Sequence, residues 1–343
     1  MEKNAVLRLN GYFDRNFGDD YMFKLVVRSM PEVTFLVNAR EQDVPCLAGE
    51  PNVCFGTDGQ EHLPLLTVTG SGFMVNSWPA FLYELNCFLR RKKVGDFCLG
   101  CNIEPFQKRC FQFLIQQKLQ KYRLITCRDR KSEAWLRKRC KKPEIHYVPD
   151  ILFSLPDEWL ATERTADHLG ISVMNLGTGN AAQRYYDCLA QVADHYIAQT
   201  GRGVILLAFD SGMEDDVSAC QWVRERMKAP DQTEIVTHDR GGEIFAAYAR
   251  CEKIIATRFH SAVLAMRMGI EMYPIVYRDK MRNLIKDMDY PYSGNDWDQI
   301  DPSKLCAFVT QQQEPNKLSR EIFERAKQHV QLLRAAIEKD GKR

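Results

Sequence analysis

The sequence predicts an α/β protein built from two doubly wound, Rossmann-like domains. Three observations carry that expectation. The chain has 343 residues, whereas a single domain usually takes about 150. Short apolar, β-branched runs alternate with stretches of helical period, the pattern of a mostly parallel sheet covered by helices on both faces. The alternation runs to about residue 150 and then starts again.

In the first half, residues 4–10 read as a strand, followed by a polar loop and a helix over 19–30. Further strands are expected at 33–37, 65–69, 94–99 and 124–127. Helices are expected at 78–93, 105–120 and 130–141. Around residues 149–165 the period fades and Pro149 and Pro156 appear, which reads as a linker. The second half offers strands at 168–174, 203–209, 234–237, 253–257 and 274–276. Its helices are expected at 181–198, 214–227, 242–250 and 261–268. From 319 to 339 apolar residues recur at Ile322, Ala326, Val330, Leu333 and Ile337, one stripe at helical spacing. That helix either caps the second domain or crosses back to the first. The expected division is therefore 1–150, a linker at 151–166, 167–316, and a C-terminal helix at 317–343.

Composition excludes several classes. Apolar residues at 45% and charged residues at 27% are a globular balance, not that of a disordered chain. No apolar run approaches the ~20 residues that span a bilayer. Without an export signal at its start, the sequence reads as cytoplasmic. Lys and Arg number 47 against 45 Asp and Glu, a net charge of +2. This is far from the basic footprint of a nucleic-acid module. Two basic runs stand out, Arg90 to Lys93 and Arg137 to Lys142. They are solvated helix ends or faces, or a surface dock for anionic lipid or nucleic acid, with contact at the inner membrane surface as one expectation. The 12 cysteines sit mostly in apolar segments and read as small hydrophobes of a reducing compartment. Cys98 and Cys101 form a lone CxxC with no second pair at zinc-site spacing, so no metal is expected.

In open α/β sheets, ligands lie beyond the carboxyl ends of strands. There, helix N-termini favour anions. After the first strand comes Asn16-Phe17-Gly18-Asp19-Asp20. Its carboxylates either cap a helix or bind and deprotonate a hydroxyl. After the strand ending at Thr69, Gly70 and Gly72 permit close backbone approach. They lack the third glycine of a dinucleotide fingerprint. His238 follows another strand, either as a helix cap or beside a sugar or phosphate. The richest segment is Arg258-Phe259-His260-Ser261. Arg258 offers a planar fork for carboxylate or phosphate, and His260 a donor or general acid–base. Lys280 can reach the same anion from the next helix start.

The ordered set of motifs resembles the polysaccharide pyruvyltransferase family. The residues that carry the resemblance are the Asn16–Asp20 loop, the GSGFM strand end and Arg128-Asp129 with Ser132. Pro149-Asp150 with Phe153 and Leu155, Arg258-Phe259-His260-Ser261, and a late Tyr/Lys segment complete it. Together they span roughly residues 4–290 in family order. The departures are a strand end with only two glycines and Phe259 in place of a leucine. The resemblance implies a glycosyltransferase-B-like fold and transfer of the pyruvyl group of phosphoenolpyruvate onto two hydroxyls of a sugar, as a ketal. It implies no cofactor beyond that donor, with a glycan or glycan precursor as acceptor. It casts Arg258 as anion clamp, His260 as acid or phosphate donor and Asp19 as acceptor-side base. Arg128 pairs instead with Asp129 or Asp150. Two other readings stand beside it. One is a nucleotide-sugar glycosyltransferase of the same fold, with Glu271 as ribose-binding candidate. The other is a non-catalytic glycan- or lipid-binding subunit.

Overall fold

The protein is described by a computed structural model covering residues 5–56, 59–60, 62–70, 77–89, 96–106, 108–160, 163–238, 242–311 and 318–341. It falls into two compact units. One comprises Met1–Phe13, Asp19–Ser154 and Glu321–Arg343; the other comprises Asp14–Gly18 and Leu155–Arg320.

The first unit carries β1 (Ala5–Asn10), β2 (Val33–Val37), β3 (Val53–Phe55), β4 (Leu65–Val68), β5 (Phe97–Cys101), β6 (Leu124–Cys127) and β7 (Glu144–Tyr147). They form one sheet in the order β3-β2-β1-β4-β5-β6-β7, with every pairing parallel. The order reverses between β1 and β4, so the switch point of this sheet lies there. The central strands β4, β5 and β6 are buried throughout, as continuous apolar runs in a doubly covered sheet should be. The short strands β3 and β7 are partly exposed; β3 has only three residues and β7 mixes Glu144 and His146 with its apolar ones.

Helices α1 (Phe17–Ser29), α2 (Trp78–Leu89), α3 (Arg109–Leu119) and α4 (Arg130–Arg139) link these strands. Cys98 and Cys101 are fully buried in β5, and burial pushes the Cys98 thiol well above its ordinary pKa.

The C-terminal stripe breaks into α11 (Arg320–Ala326) and α12 (Gln328–Gly341), and α12 packs against β5 and β6. The helix thus returns to the first unit. Ala326, His329 and Leu333 are its buried positions. His329 Nε2 donates to the Pro149 carbonyl at 2.9 Å. Its Nδ1 therefore accepts from the Thr126 hydroxyl, 2.6 Å away, while the same hydroxyl oxygen accepts from the Gly100 N–H. Burial pushes the imidazole down to about 4, so it is neutral at physiological pH. The segment expected to be a linker begins with a tight turn over Ile151–Ser154, in which Ile151, Leu152 and Phe153 are buried. Phe153 stacks on Phe323 of α11.

The second unit repeats the topology. Its strands are β8 (His168–Val173), β9 (Val204–Ala208), β10 (Thr233–Thr237), β11 (Cys251–Ala256), β12 (Glu271–Val276) and β13 (Asn295–Asp296). They run in the order β10-β9-β8-β11-β12-β13, again all parallel. Helices α5 (Asn180–Thr200), α6 (Asp216–Arg226), α7 (Glu243–Arg250), α8 (Phe259–Met268), α9 (Asp279–Asp287) and α10 (Pro302–Thr310) complete it. Ile171, Leu206, Ile255, Tyr185 and Tyr196 are fully buried in one core cluster; each such aliphatic side chain contributes roughly 1.5–3 kcal/mol on burial. The switch point lies between β8 and β11, so the turn from β11 into α8 opens into it.

Candidate functional site

That turn is Thr257-Arg258, with Arg258 at the N-cap of α8. The Thr257 hydroxyl is 2.9 Å from Tyr185 OH, and the Arg258 N–H donates to Ser172 Oγ of β8 at 3.4 Å. The strand end is thereby tied to α5 and to β8.

Arg258 is buried. Its Nε and Nη2 donate to the two oxygens of Asp216, at 2.7 and 2.6 Å, while Nη1 pairs with Glu214. This bidentate fork is the strong form of the ion pair. Burial alone would weaken the guanidinium charge, but the charges and hydrogen bonds of Asp216 and Glu214 raise its pKa instead. The fork of the expected anion clamp thus holds two carboxylates of the protein itself.

The two carboxylates differ. Asp216 is fully buried and also accepts from the backbone N–H groups of Asn175 and Asp210, at 3.0 and 3.1 Å. Burial still pushes its carboxyl up, against the opposing charge of Arg258. Glu214 leaves 47% of its side chain exposed. Burial would raise its carboxyl, but Arg258, Lys280 and Arg278 outweigh that and hold it below its ordinary value. One accessible carboxylate thus pairs with Arg258 and feels the charges of Lys280 and Arg278. Lys280, in the first turn of α9, has its ammonium 5.7 Å from the Phe259 ring centre and 5.2 Å from that of Tyr277.

Residues 14–18 complete the second unit's site. Asn16 bridges to Asp210, its Nδ2 donating to Asp210 Oδ2 at 3.0 Å. Its Oδ1 accepts from the Gly18 N–H at 3.1 Å and caps α1. Asp210 also accepts from the N–H groups of Gly212 and Glu214, and burial raises its carboxyl. Phe17 packs edge-on against Phe209 and His238, with centroids 4.9 and 5.4 Å apart. His260, second residue of α8, is buried. Its ring lies directly over Gly18, where an added Cβ would fall 1.6 Å from Nδ1. Asn16, Gly18, His238, Arg258, His260 and Lys280 are thus all placed in the second unit.

Other predicted residues fall elsewhere. Asp19, half-buried in the first turn of α1, is counted with the first unit. Gly70 serves Arg128: its carbonyl accepts from Nη2, and a Cβ on it would lie 2.9 Å from Nη1. Its close approach is to a protein side chain, that of Arg128. Gly72 lies outside the described residues. Arg128 pairs with Asp150 at 2.9 Å, both being buried, while Asp129 caps α4 by accepting from the Ser132 N–H at 2.8 Å. Glu271 opens β12, at the strand end opposite the ligand crevice, and accepts from Tyr292 OH at 2.9 Å. It is therefore poorly placed to bind a ribose. Sequence reasoning missed Asp210, Glu214, Asp216 and Arg278. The signal was the acidic DSGMEDD loop directly after the most apolar strand.

A family model for polysaccharide pyruvyl transferase matches residues 16–279. The chain belongs to the polysaccharide pyruvyl transferase family. The match takes in the Asn16–Gly18 cap, the Arg128–Asp150 pair and the Arg258–His260 turn. Solved structures add the fold. The UDP-GlcNAc 2-epimerase from Neisseria meningitidis bound to UDP-GlcNAc superposes with a TM-score of 0.61 at 8% identity, covering 96% of this chain and 100% of that one. The UDP-GlcNAc 2-epimerase from Methanocaldococcus jannaschii gives 0.59 at 9%, covering 96% and 99%. Anabaena Alr3699/HepE in complex with UDP and glucose gives 0.56 at 12%, covering 99% and 100%. At such identities the likeness is one of fold: this pyruvyl transferase family member has two Rossmann-like domains of glycosyltransferase-B type.

Proposed function

We propose that the protein transfers the pyruvyl group of phosphoenolpyruvate to a hydroxyl pair of a sugar in a glycan or glycan precursor, giving a pyruvate ketal. The observation that carries this reading is the buried Arg258 paired with the half-exposed Glu214, two residues before the buried His260 and with the Lys280 ammonium 5.7 Å from the ring of the intervening Phe259. Phosphoenolpyruvate brings a carboxylate and a phosphate, the charges such a cluster suits.

In the reaction the methylene carbon gains a proton and C2 takes on cationic character. One hydroxyl adds to C2, the C2–O bond to phosphate breaks, and the second hydroxyl adds. One hydroxyl proton ends on the new methyl group and the other on phosphate. This reading assigns His260 the proton to the methylene carbon or to the departing phosphate. Lys280 and Arg258 hold the donor's anionic groups. Asn16, Gly18 and His238 shape the wall around them. Asp19 is assigned to the acceptor hydroxyl as base.

The Anabaena protein of similar fold was solved with UDP and glucose, which keeps a nucleotide-sugar glycosyltransferase as the alternative. Thermal unfolding with each ligand separates the two. A ligand at a hundred times its Kd stabilises by about 2.7 kcal/mol. Phosphoenolpyruvate is expected to raise the melting temperature, with UDP and UDP-sugars without effect. A rise with the nucleotides alone would favour the glycosyltransferase. No rise with either would favour a non-catalytic binding subunit.

A further inference from the structure

Large apolar side chains collect on one exposed helix face of the first unit. In α2, Trp78, Leu82, Tyr83 and Leu89 are 51%, 59%, 53% and 70% exposed. Pro79 and Asn86 are the other exposed positions from 78 to 89, so the exposed residues of this helix face bear no charge of their own, while the Lys108 ammonium lies 4.7 Å from the Trp78 ring centre. Residues 78, 82, 86 and 89 follow helical spacing and form one stripe. A contiguous apolar surface of this kind marks an interaction site in a folded chain. Trp and Tyr suit a boundary between water and hydrocarbon.

A second feature adjoins it. Phe88, next to Leu89, lines an open cavity of about 710 Å³ together with Lys121, Arg123, Lys142, Glu144 and Lys339. Lys121 Nζ lies 4.0 Å from the Phe88 ring centre. Arg123 pairs with Asp96 and Lys339 with Glu144. Lys121 and Lys142 have no carboxylate within ion-pair distance among the described residues. Lys142 also ends the second basic run of the sequence, which the proposed transfer does not use. The apolar stripe and the cavity that holds Lys121 and Lys142 thus share the C-terminal end of α2, Leu89 ending the one and Phe88 lining the other.

We propose that this face docks on an anionic phospholipid surface, with the α2 stripe entering the headgroup boundary and Lys121 and Lys142 taking lipid phosphates. An interfacial helix needs an apolar face with cationic flanks, and no described helix is long and apolar enough to cross a membrane. A second copy of this chain fits less well, because a two-fold contact sets the same patch against itself and that patch carries more cations than carboxylates. The inference does not rest on the proposed chemistry, and its test does not read activity.

The test is co-sedimentation of the full chain with phosphatidylcholine vesicles, with and without phosphatidylglycerol. Two variants, Lys121→Glu/Lys142→Glu and Leu82→Ser/Leu89→Ser, accompany it after circular dichroism has confirmed their fold. The wild type should pellet with phosphatidylglycerol vesicles and not with phosphatidylcholine alone. One lysine near such a surface contributes about fivefold in binding, so the charge-reversed pair should bind at least about tenfold more weakly. The serine pair should bind only at low ionic strength, because its remaining attraction is screened. Inorganic phosphate should leave wild-type binding in place. Wild type that stays in the supernatant, or variants that bind like wild type, would overturn the proposal. So would release by inorganic phosphate with no dependence on Leu82 and Leu89, which assigns the cavity to a small anion. A dimer dissolved by Leu82→Ser/Leu89→Ser would overturn it in favour of a second copy.

Discussion

The imidazole of His260 fills the space that a side chain at residue 18 would need, since a Cβ on Gly18 would lie 1.6 Å from its Nδ1. Asn16 fixes that approach by capping the helix through the Gly18 N–H and holding Asp210. The glycine of the first loop and the histidine of the late motif, 242 residues apart in sequence, are thus one feature of the second unit.

Gly18→Ala should displace the His260 ring. Overpacking of this kind costs about 1–3 kcal/mol. Loss of a placed proton donor costs about a hundredfold or more in turnover. Gly18→Ala/His260→Ala should recover much of the lost stability while staying inactive, because the conflict has gone. Urea unfolding and turnover of the three variants check this. Additive stability losses would contradict the contact.

Glu214 pairs with Nη1 of Arg258, so under the proposed function it competes with the donor's anion for that guanidinium. Glu214→Gln removes a competing charge while leaving Asp216 to hold the guanidinium. The KM for phosphoenolpyruvate should fall about two- to fivefold, in line with a half-exposed ion pair, with kcat little changed. Steady-state kinetics at fixed acceptor decide it. A raised KM would mean that Glu214 positions Arg258 for binding.

Arg128 and Asp150 are each 1% exposed in their side chains. Asp150→Ala leaves a buried guanidinium without its counter-charge and should cost about 3–5 kcal/mol, read by urea unfolding. Arg137→Ala, whose partner Glu133 is a surface pair, should cost less than about 1 kcal/mol.

His329 makes the first unit sensitive to acid. Its folded pKa of about 4 lies below its ordinary 6.5, so below pH 6.5 the unfolded chain takes up the proton first. The stability is therefore full above about pH 6.5 and is lost as pH falls towards 4, by roughly 3 kcal/mol in all. His329→Gln should lose less stability between pH 7 and pH 5 than wild type. Parallel slopes in thermal unfolding would contradict the assignment.

Much of the architecture was legible because its strands are what a doubly covered parallel sheet requires. Residues 124–127 and 204–208 are short, mostly apolar runs whose length and β-branched content favour a buried strand over a helix. Val53–Phe55 and Asn295–Asp296 are short and partly exposed, so their pairing depends on neighbours that periodicity does not show. The return of α12 turns on His329, which from sequence is one more polar residue on a helix. Within the site, Arg258, His260, Asn16 and Gly18 announce themselves by type and position after strands. Asp216 and Glu214 do not, because carboxylates at a helix start read equally as caps. Gly70 shows the converse: a glycine placed for close approach, whose neighbour proves to be Arg128.

The most direct test of the central claim is incubation of the purified protein with carbon-13-labelled phosphoenolpyruvate and a panel of hexose methyl glycosides. The products are followed by carbon NMR together with phosphate release. The account predicts a labelled quaternary ketal carbon and one phosphate per ketal, both absent with His260→Ala. Near wild-type ketal formation by His260→Ala, or sugar transfer from UDP-sugars with no labelled product, would contradict it.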